Sequence, residues 1–248
     1  MTERHTGEQP APERGRLLVV VAVAAEAEAV LRGLGGPVRA LPLPGGELHR
    51  AAHPSGVTVD VLAGGVGPAA AAAAASAALC AHRYDLVVSA GIGGGFAPQA
   101  PVGSTVLAEA IVAADLGAET PDGFADVTEL GFGTVRHTPA PAAVALAAAA
   151  LGAVTGTVLT VSTVTGSTGR AAALTARHPG AVAEAMEGFG VAEAAARHGV
   201  PAFELRTVSN PVGPRDRAAW RIGEALGALE RAFAALPYPE FLKEARRG

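Results

Sequence analysis

Four glycines fall within five positions, Gly91, Gly93, Gly94 and Gly95, directly after the apolar run Leu86-Val87-Val88. No other stretch limits what the chain can fold into so tightly. The apolar run has the length and β-branched content of a buried strand. The glycines predict an irregular turn after it, because glycine takes φ > 0 without strain and lets another group come close to the backbone. In an open α/β sheet, ligands bind in the crevice beyond the carboxyl ends of the strands. Gly91, Ile92, Gly93 and Gly94 are therefore a candidate ligand cradle, although a tight turn without a ligand accounts for the stretch when it is taken alone.

The rest of the chain alternates between strand-like and helix-like segments. Residues 16–23 are a continuous apolar run, predicted as a central strand. The helical composition that follows puts Glu26 at a strand-to-helix junction, with Glu28 facing elsewhere. A solvated first-turn carboxylate favoured by the helix dipole is the ordinary reading of either residue. Residues 47–52 and 57–62 read as a hairpin, 63–68 as a second Gly-rich turn, and 68–80 as an Ala-rich buried helix too short to span a bilayer. Further on, 103–113 is apolar, 115–137 a long loop of the kind that is usually functional, 140–151 a helix and 156–164 a strand. A helix over 169–178 stops at Pro179-Gly180, and 181–187 leads into a helix ending near His198. The last strand is 201–209, followed by a charged turn over 210–217 and a terminal helix over 218–236. This alternation predicts one three-layer α/β domain over 16–248, a central mixed sheet flanked by helices, after a disordered tail over 1–15.

Half of the 248 residues are hydrophobic and only 17% are charged, which provides for a sizeable core. A net charge of −4 argues against nucleic acid or an anionic membrane as the main partner. The single cysteine, Cys80, rules out an intramolecular disulfide and gives no metal cluster, so it is expected as a small buried apolar residue. Residues 1–15 lack the apolar core of a signal peptide. The expectation is a soluble, cytoplasmic protein with no cofactor or metal.

Glu26, the glycine run, Met186-Glu187 and Ser209-Asn210 should all fall on the ligand side of such a sheet. Glu187 lies between an apolar segment and Gly188 with no basic neighbour in sequence. A carboxylate so placed must find donors. Two vicinal ribose hydroxyls serve, and so do the backbone N–H groups of a helix start. In order and spacing, these segments resemble the nucleoside phosphorylase/nucleosidase superfamily over 16–236. They are similar in particular to its methylthioadenosine/S-adenosylhomocysteine nucleosidase branch.

That resemblance implies a homodimer or larger homo-oligomer, and it implies roles. Met186 and Glu187, with Ala185 beside them, bracket the ribose. Glu26 positions and activates the water, and Gly91 to Gly94 line the nucleophile side. Asn210, next to Ser209, touches purine N7. Phosphorylases of the superfamily carry a cation in the loop after the first strand, where this chain has Val23-Ala24-Ala25-Glu26. A carboxylate there repels phosphate and points to hydrolysis. Adenine-specific members carry Asp at the place of Asn210, whose neutral amide instead suits a 6-oxopurine.

The phrases Ala-Gly-Ile-Gly-Gly-Gly-Phe, Ala-Met-Glu-Gly-Phe-Gly and Val-Ser-Asn-Pro-Val-Gly-Pro-Arg-Asp-Arg-Ala-Ala-Trp are similar to the futalosine hydrolase family. This implies release of hypoxanthine from futalosine, on a route to menaquinone. The aromatic carboxylate of futalosine implies an apolar slot ending in a cation, for which Arg215, Arg217 and Trp220 are candidates. Asp216 either passes a proton to the leaving base or pairs with Arg215 or Arg217. The stacking Phe of the family is missing near Ser162-Thr163, leaving Phe96 and Phe189 as stacking partners or as core residues. A methylthioadenosine-type nucleosidase, a purine nucleoside phosphorylase and a silent nucleoside-binding protein are the alternatives.

Overall fold

The computed structural model describes residues 15–247. The expectation for the tail lies outside the described residues except at Gly15, whose carbonyl already accepts from the Thr58 N–H at 2.9 Å. The chain then runs β1 (Arg16–Val21), α1 (Ala24–Leu34), β2 (Val38–Leu43), β3 (Gly46–Ala52), β4 (Thr58–Ala63), α2 (Pro68–Ala81) and β5 (Leu86–Gly95). It continues through β6 (Thr105–Ala113), β7 (Gly117–Thr120), β8 (Gly123–Asp126), β9 (Arg136–His137), α3 (Pro141–Leu151) and β10 (Val154–Thr160). Last come α4 (Thr168–Arg177), β11 (Ala181–Ala185), α5 (Gly188–Arg197), β12 (Ala202–Pro211), α6 (Ile222–Ala235) and α7 (Tyr238–Ala245), with a 3-10 turn at Arg217–Ala219 before α6.

The apolar run of β1 explains the layering. Leu17, Val19 and Val21 pack with α1, α6 and α7, whereas Leu18 and Val20, on the opposite face, pack with α2 and α5. A strand covered on both faces reads as unbroken hydrophobicity. Helices α2 and α5 approach closely because Gly190 carries no side chain: a Cβ there would stand 2.1 Å from the Pro68 carbonyl. The sheet order is β11-β10-β6-β12-β5-β1-β4-β3-β2, with β9 on β6 and a separate β7–β8 hairpin. β1, β4, β5 and β12 run parallel, β12 and β6 antiparallel, so the sheet is mixed as expected. β11 also pairs antiparallel with the end of β5, Ala183 against Gly95 and Glu184 against Gly94, so that β5, β12, β6, β10 and β11 close into a ring.

The glycine run is not the turn its composition predicts. β5 continues through Gly95, because β12 pairs with it as far as Pro211 and β11 crosses it from the other side. Crowding, not turning, demands glycine: a Cβ on Gly95 would stand 2.0 Å from the Ala100 carbonyl, and one on Gly93 would stand 2.8 Å from that of Glu184. The 115–137 segment is not structureless either, since it holds β7, β8 and β9. Strand β2 has no counterpart in the sequence reading, the 156–164 strand ends early at Thr160, and Asn210 belongs to β12. The terminal helix divides at Leu236-Pro237 into α6 and α7. Cys80 is exposed, because the buried stripe of α2 is Ala71, Ala75, Ala78 and Leu79. Among the described residues, no helix is long and apolar enough to cross a membrane.

Candidate active site

A cavity of about 280 Å³ opens over the glycine end of β5, floored by Ile92, Gly93 and Gly94. Glu26 forms one wall. It occupies the third position of α1 and reaches back to the backbone: Oε2 accepts from Ala22 N (2.9 Å) and Val23 N (3.2 Å), while Oε1 accepts from Ile92 N (2.8 Å). A carboxylate offers about four acceptor sites, so Oε1 keeps one for a ligand. At 3% exposed, Glu26 is no solvated first-turn acid. Burial raises its carboxyl above the usual range, opposed by the Ile92 hydrogen bond and the charge of Arg206. Gly91 lies behind this wall rather than in the cavity. Its φ of +148° and the 2.5 Å that would separate a Cβ from Glu26 Oε1 both require glycine.

The opposite wall comes from the β11–α5 junction, where Ala185, Met186 and Glu187 line the cavity. Glu187 is the N-cap residue of α5, yet its side chain does not cap that helix. It accepts instead from Gly67 N (3.2 Å), Met186 N (3.4 Å) and Arg206 Nη1 (3.2 Å). The donor that the sequence reading did not supply is therefore Arg206, nineteen residues on and fully buried. Arg206 Nε donates to Glu204 Oε1 at 2.9 Å and Nη2 to Ser89 Oγ at 2.8 Å. Burial works against its charge, but Glu204, Glu187 and Glu26 more than offset this and raise it further.

Ser209 and Asn210 line the third side. The Ser209 hydroxyl lies 2.8 Å from Asn210 Oδ1 and 3.2 Å from the Gly93 carbonyl. Asn210 Nδ2 donates to the Pro211 carbonyl at 3.1 Å and has a second hydrogen left for a ligand. Glu184, 4% exposed, also lines the cavity, and the Thr165 N–H and hydroxyl bind its two oxygens. Burial raises its carboxyl, against the Thr165 hydrogen bonds.

Residues 16–236 match the phosphorylase superfamily. The chain is 65% identical over 225 residues to a futalosine hydrolase of Streptomyces coelicolor, covering 89% of this chain and 94% of that one. It belongs to the phosphorylase superfamily, among the futalosine hydrolases. A futalosine hydrolase of Acidothermus cellulolyticus is 51% identical over 224 residues, covering 88% and 89% of the two chains. In fold, the chain matches a 5'-methylthioadenosine/S-adenosylhomocysteine nucleosidase of Colwellia psychrerythraea 34H, solved in complex with adenine. The TM-score is 0.77 at 22% identity, over 93% of this chain and 96% of that one.

Of the residues singled out in the sequence, Glu26, Ile92, Gly93, Gly94, Ala185, Met186, Glu187, Ser209, Asn210 and Trp220 come together around one cavity. Other sequence candidates fall outside it. Phe96 is packed against Leu159, Val161 and Leu174, and Phe189 stands in another core cluster with its ring 5.2 Å from that of His137. Both are core residues, and Val164 takes the side of the cavity where a stacking Phe was sought. Asp216 does not line the cavity, and among the described residues it pairs with no Arg. Its carboxylate accepts from Ala218 N at 3.1 Å and caps the 3-10 turn. Arg215 and Arg217 lie outside the lining too, but their guanidinium carbons stand over the ring of Trp220, a lining residue, at 5.7 and 6.0 Å from its centroid. The sequence reading missed Glu184, Glu204 and Arg206. The signal for the last two was a Glu-x-Arg pair in a strand that must be covered on both faces.

Proposed function

We propose that this chain cleaves the N-glycosidic bond of futalosine with water, giving hypoxanthine and dehypoxanthine futalosine. One observation carries the choice of nucleophile: three carboxylates, Glu26, Glu184 and Glu187, line the cavity, and among the described residues no Lys, Arg or His does. A phosphate dianion in such a place would meet three carboxylates, with the charge of Arg206 behind them already taken up by Glu187 and Glu204, whereas water needs a base. Cleavage passes through an oxocarbenium-like sugar, so the site has to hold the ribose, deprotonate a water opposite the base and support the leaving purine. Glu187, fixed by Arg206 and Gly67, accepts from the ribose hydroxyls. Glu26, fixed by three backbone N–H groups, takes the proton from the water, the kind of help that contributes about 10²–10⁴-fold. Asn210 donates its free Nδ2 hydrogen to N7 or O6 of a 6-oxopurine.

The aromatic carboxylate of futalosine lies along Trp220, toward Arg215 and Arg217, which together meet it by charge-assisted hydrogen bonds. The chain works as a homo-oligomer. Phe132, 82% exposed, and Leu116 and Leu130 on the same 115–137 segment supply an apolar surface that association covers. Incubation with futalosine and with inosine, each with and without phosphate, tests the reading. Hypoxanthine release from futalosine without phosphate is expected; release that depends on phosphate would make the chain a phosphorylase.

A further inference from the structure

Glu204 is buried deeper than the acids that line the cavity, at 0% exposed against 3% for Glu26 and 4% for both Glu184 and Glu187. It lies two residues before Arg206 on β12, so both side chains leave the same face of the strand. Its Oε1 accepts from Arg206 Nε at 2.9 Å, while Oε2 is buried without a hydrogen-bond partner. The start of α5 rests on it: a Cβ on Gly188 would stand 2.2–2.4 Å from the Glu204 carboxyl group. Glu187, the N-cap residue of that helix, is therefore set by the same contact.

The charged groups facing this carboxyl are few. Arg206 comes from its own strand and Glu187 from the head of α5. Glu26 of α1 acts on the same guanidinium, and Ser89 of β5 takes its remaining nitrogen. Three carboxylates thus surround one fully buried cation. If all three were ionised, two negative charges would stand uncompensated, which burial strongly disfavours. Hydrolysis requires Glu26 ionised to accept a proton and Glu187 ionised to accept from hydroxyls. The surplus proton then belongs on Glu204. An ionised Oε2 would carry part of a charge with no donor, whereas a carboxyl hydroxyl there leaves only a dipole unpaired. Burial pushes the Glu204 carboxyl up in the same sense, against the pull of Arg206.

We propose that Glu204 is a positioning residue acting as a neutral carboxylic acid, which holds Arg206 by Nε, seats the start of α5 and leaves the guanidinium charge to Glu187 and Glu26. The assignment of the proton rests on the hydrolytic reading above. Two readouts on the full chain test it, with Glu204→Gln and Glu204→Leu against the parent. The first is stability between about pH 5 and 8, followed by urea unfolding. Above the ordinary carboxylate value of 4.5, the unfolded parent releases a proton that the native protein keeps. The parent therefore loses stability as pH rises toward the native value, and Glu204→Gln does not. The ratio of their folding constants should move in favour of Gln by about tenfold per pH unit over that window. A flat ratio means that Glu204 is ionised, and overturns the proposal.

The second readout is turnover on whichever nucleoside the parent cleaves. Glu204→Gln should keep kcat within about threefold, with the acid limb of the pH profile unmoved, and Glu204→Leu should lose at least about tenfold in kcat. Equal losses in both variants, or a fully active Leu variant, would remove the positioning role. Because the stability slope needs no substrate, a parent inactive on futalosine would refute the hydrolytic reading without touching this test. A Leu variant that does not fold leaves the slope and the Gln kinetics to decide.

Discussion

Glu26 owes its place to simple helix geometry, since a residue at the third position of a helix can reach back to the backbone before it. The same reach removes it from water and raises its carboxyl. Glu26→Gln should keep the fold, by circular dichroism, and bind futalosine in calorimetry, while losing about 10²–10⁴-fold in kcat. The base works only when ionised, so the rate should fall as pH drops through the raised value. The acid limb of kcat/KM should accordingly lie above the ordinary carboxylate value of 4.5. Asn210 invites a different exchange, because Asp has nearly its shape but not its amide hydrogens. Asn210→Asp should shift kcat/KM from futalosine toward adenine nucleosides by about tenfold or more, since a site built for one hydrogen-bonding pattern leaves polar atoms unpaired with the other. Equal losses on both substrate classes would remove Asn210 from base recognition. Both residues could be placed from the sequence, Glu26 at a strand-to-helix junction and Asn210 near the end of the last strand. Glu204 and Arg206 could not, because Phe-Glu-Leu-Arg-Thr reads as a strand with one wet face, whereas Glu204 and Arg206 are both 0% exposed.

Among the elements, most strands and helices could be read because segments such as β1 and α2 are nearly unbroken apolar or alanine runs. The failure at β5 is instructive. Glycine density alone does not distinguish a turn from a strand that two other strands crowd, and the pairing with β11 is a contact between residues far apart in sequence. The test is Gly95→Ala, whose methyl group would meet the Ala100 carbonyl at 2.0 Å. It should cost about 1–3 kcal/mol in urea unfolding, the range for forced overpacking. If Gly95 were a free turn residue, alanine would be neutral. The hairpin within 115–137 was hidden for a related reason, since β7 and β8 have only four residues each and little apolar alternation.

For the whole molecule, the cavity rim and the surface beside it are the places where other groups come in. Val66 and Val164 leave that rim apolar, at 58% and 38% exposed. If Arg215 and Arg217 hold the far end of futalosine, Arg215→Ala and Arg217→Ala should each lower kcat/KM on futalosine by about tenfold, the worth of one charge-assisted contact. Inosine, which lacks the tail, should be unaffected. If Phe132 lies in a contact between copies, Phe132→Asp should lower the mass seen by sedimentation, and an unchanged mass would place it at a free surface.

The ring that β11 closes on β5 also bears on how the molecule breathes. The amides of 94 and 95 sit between β12 and β11, on a strand whose residues 86–89 also pair with β1, so fraying has no sheet edge to begin from at that end. In deuterium exchange they should open only with the whole domain, at the global unfolding free energy. Under mild denaturant the enzyme would then have no half-assembled site. Each molecule in solution either keeps its full activity or has none, and a loss of rate counts unfolded molecules instead of weakened ones.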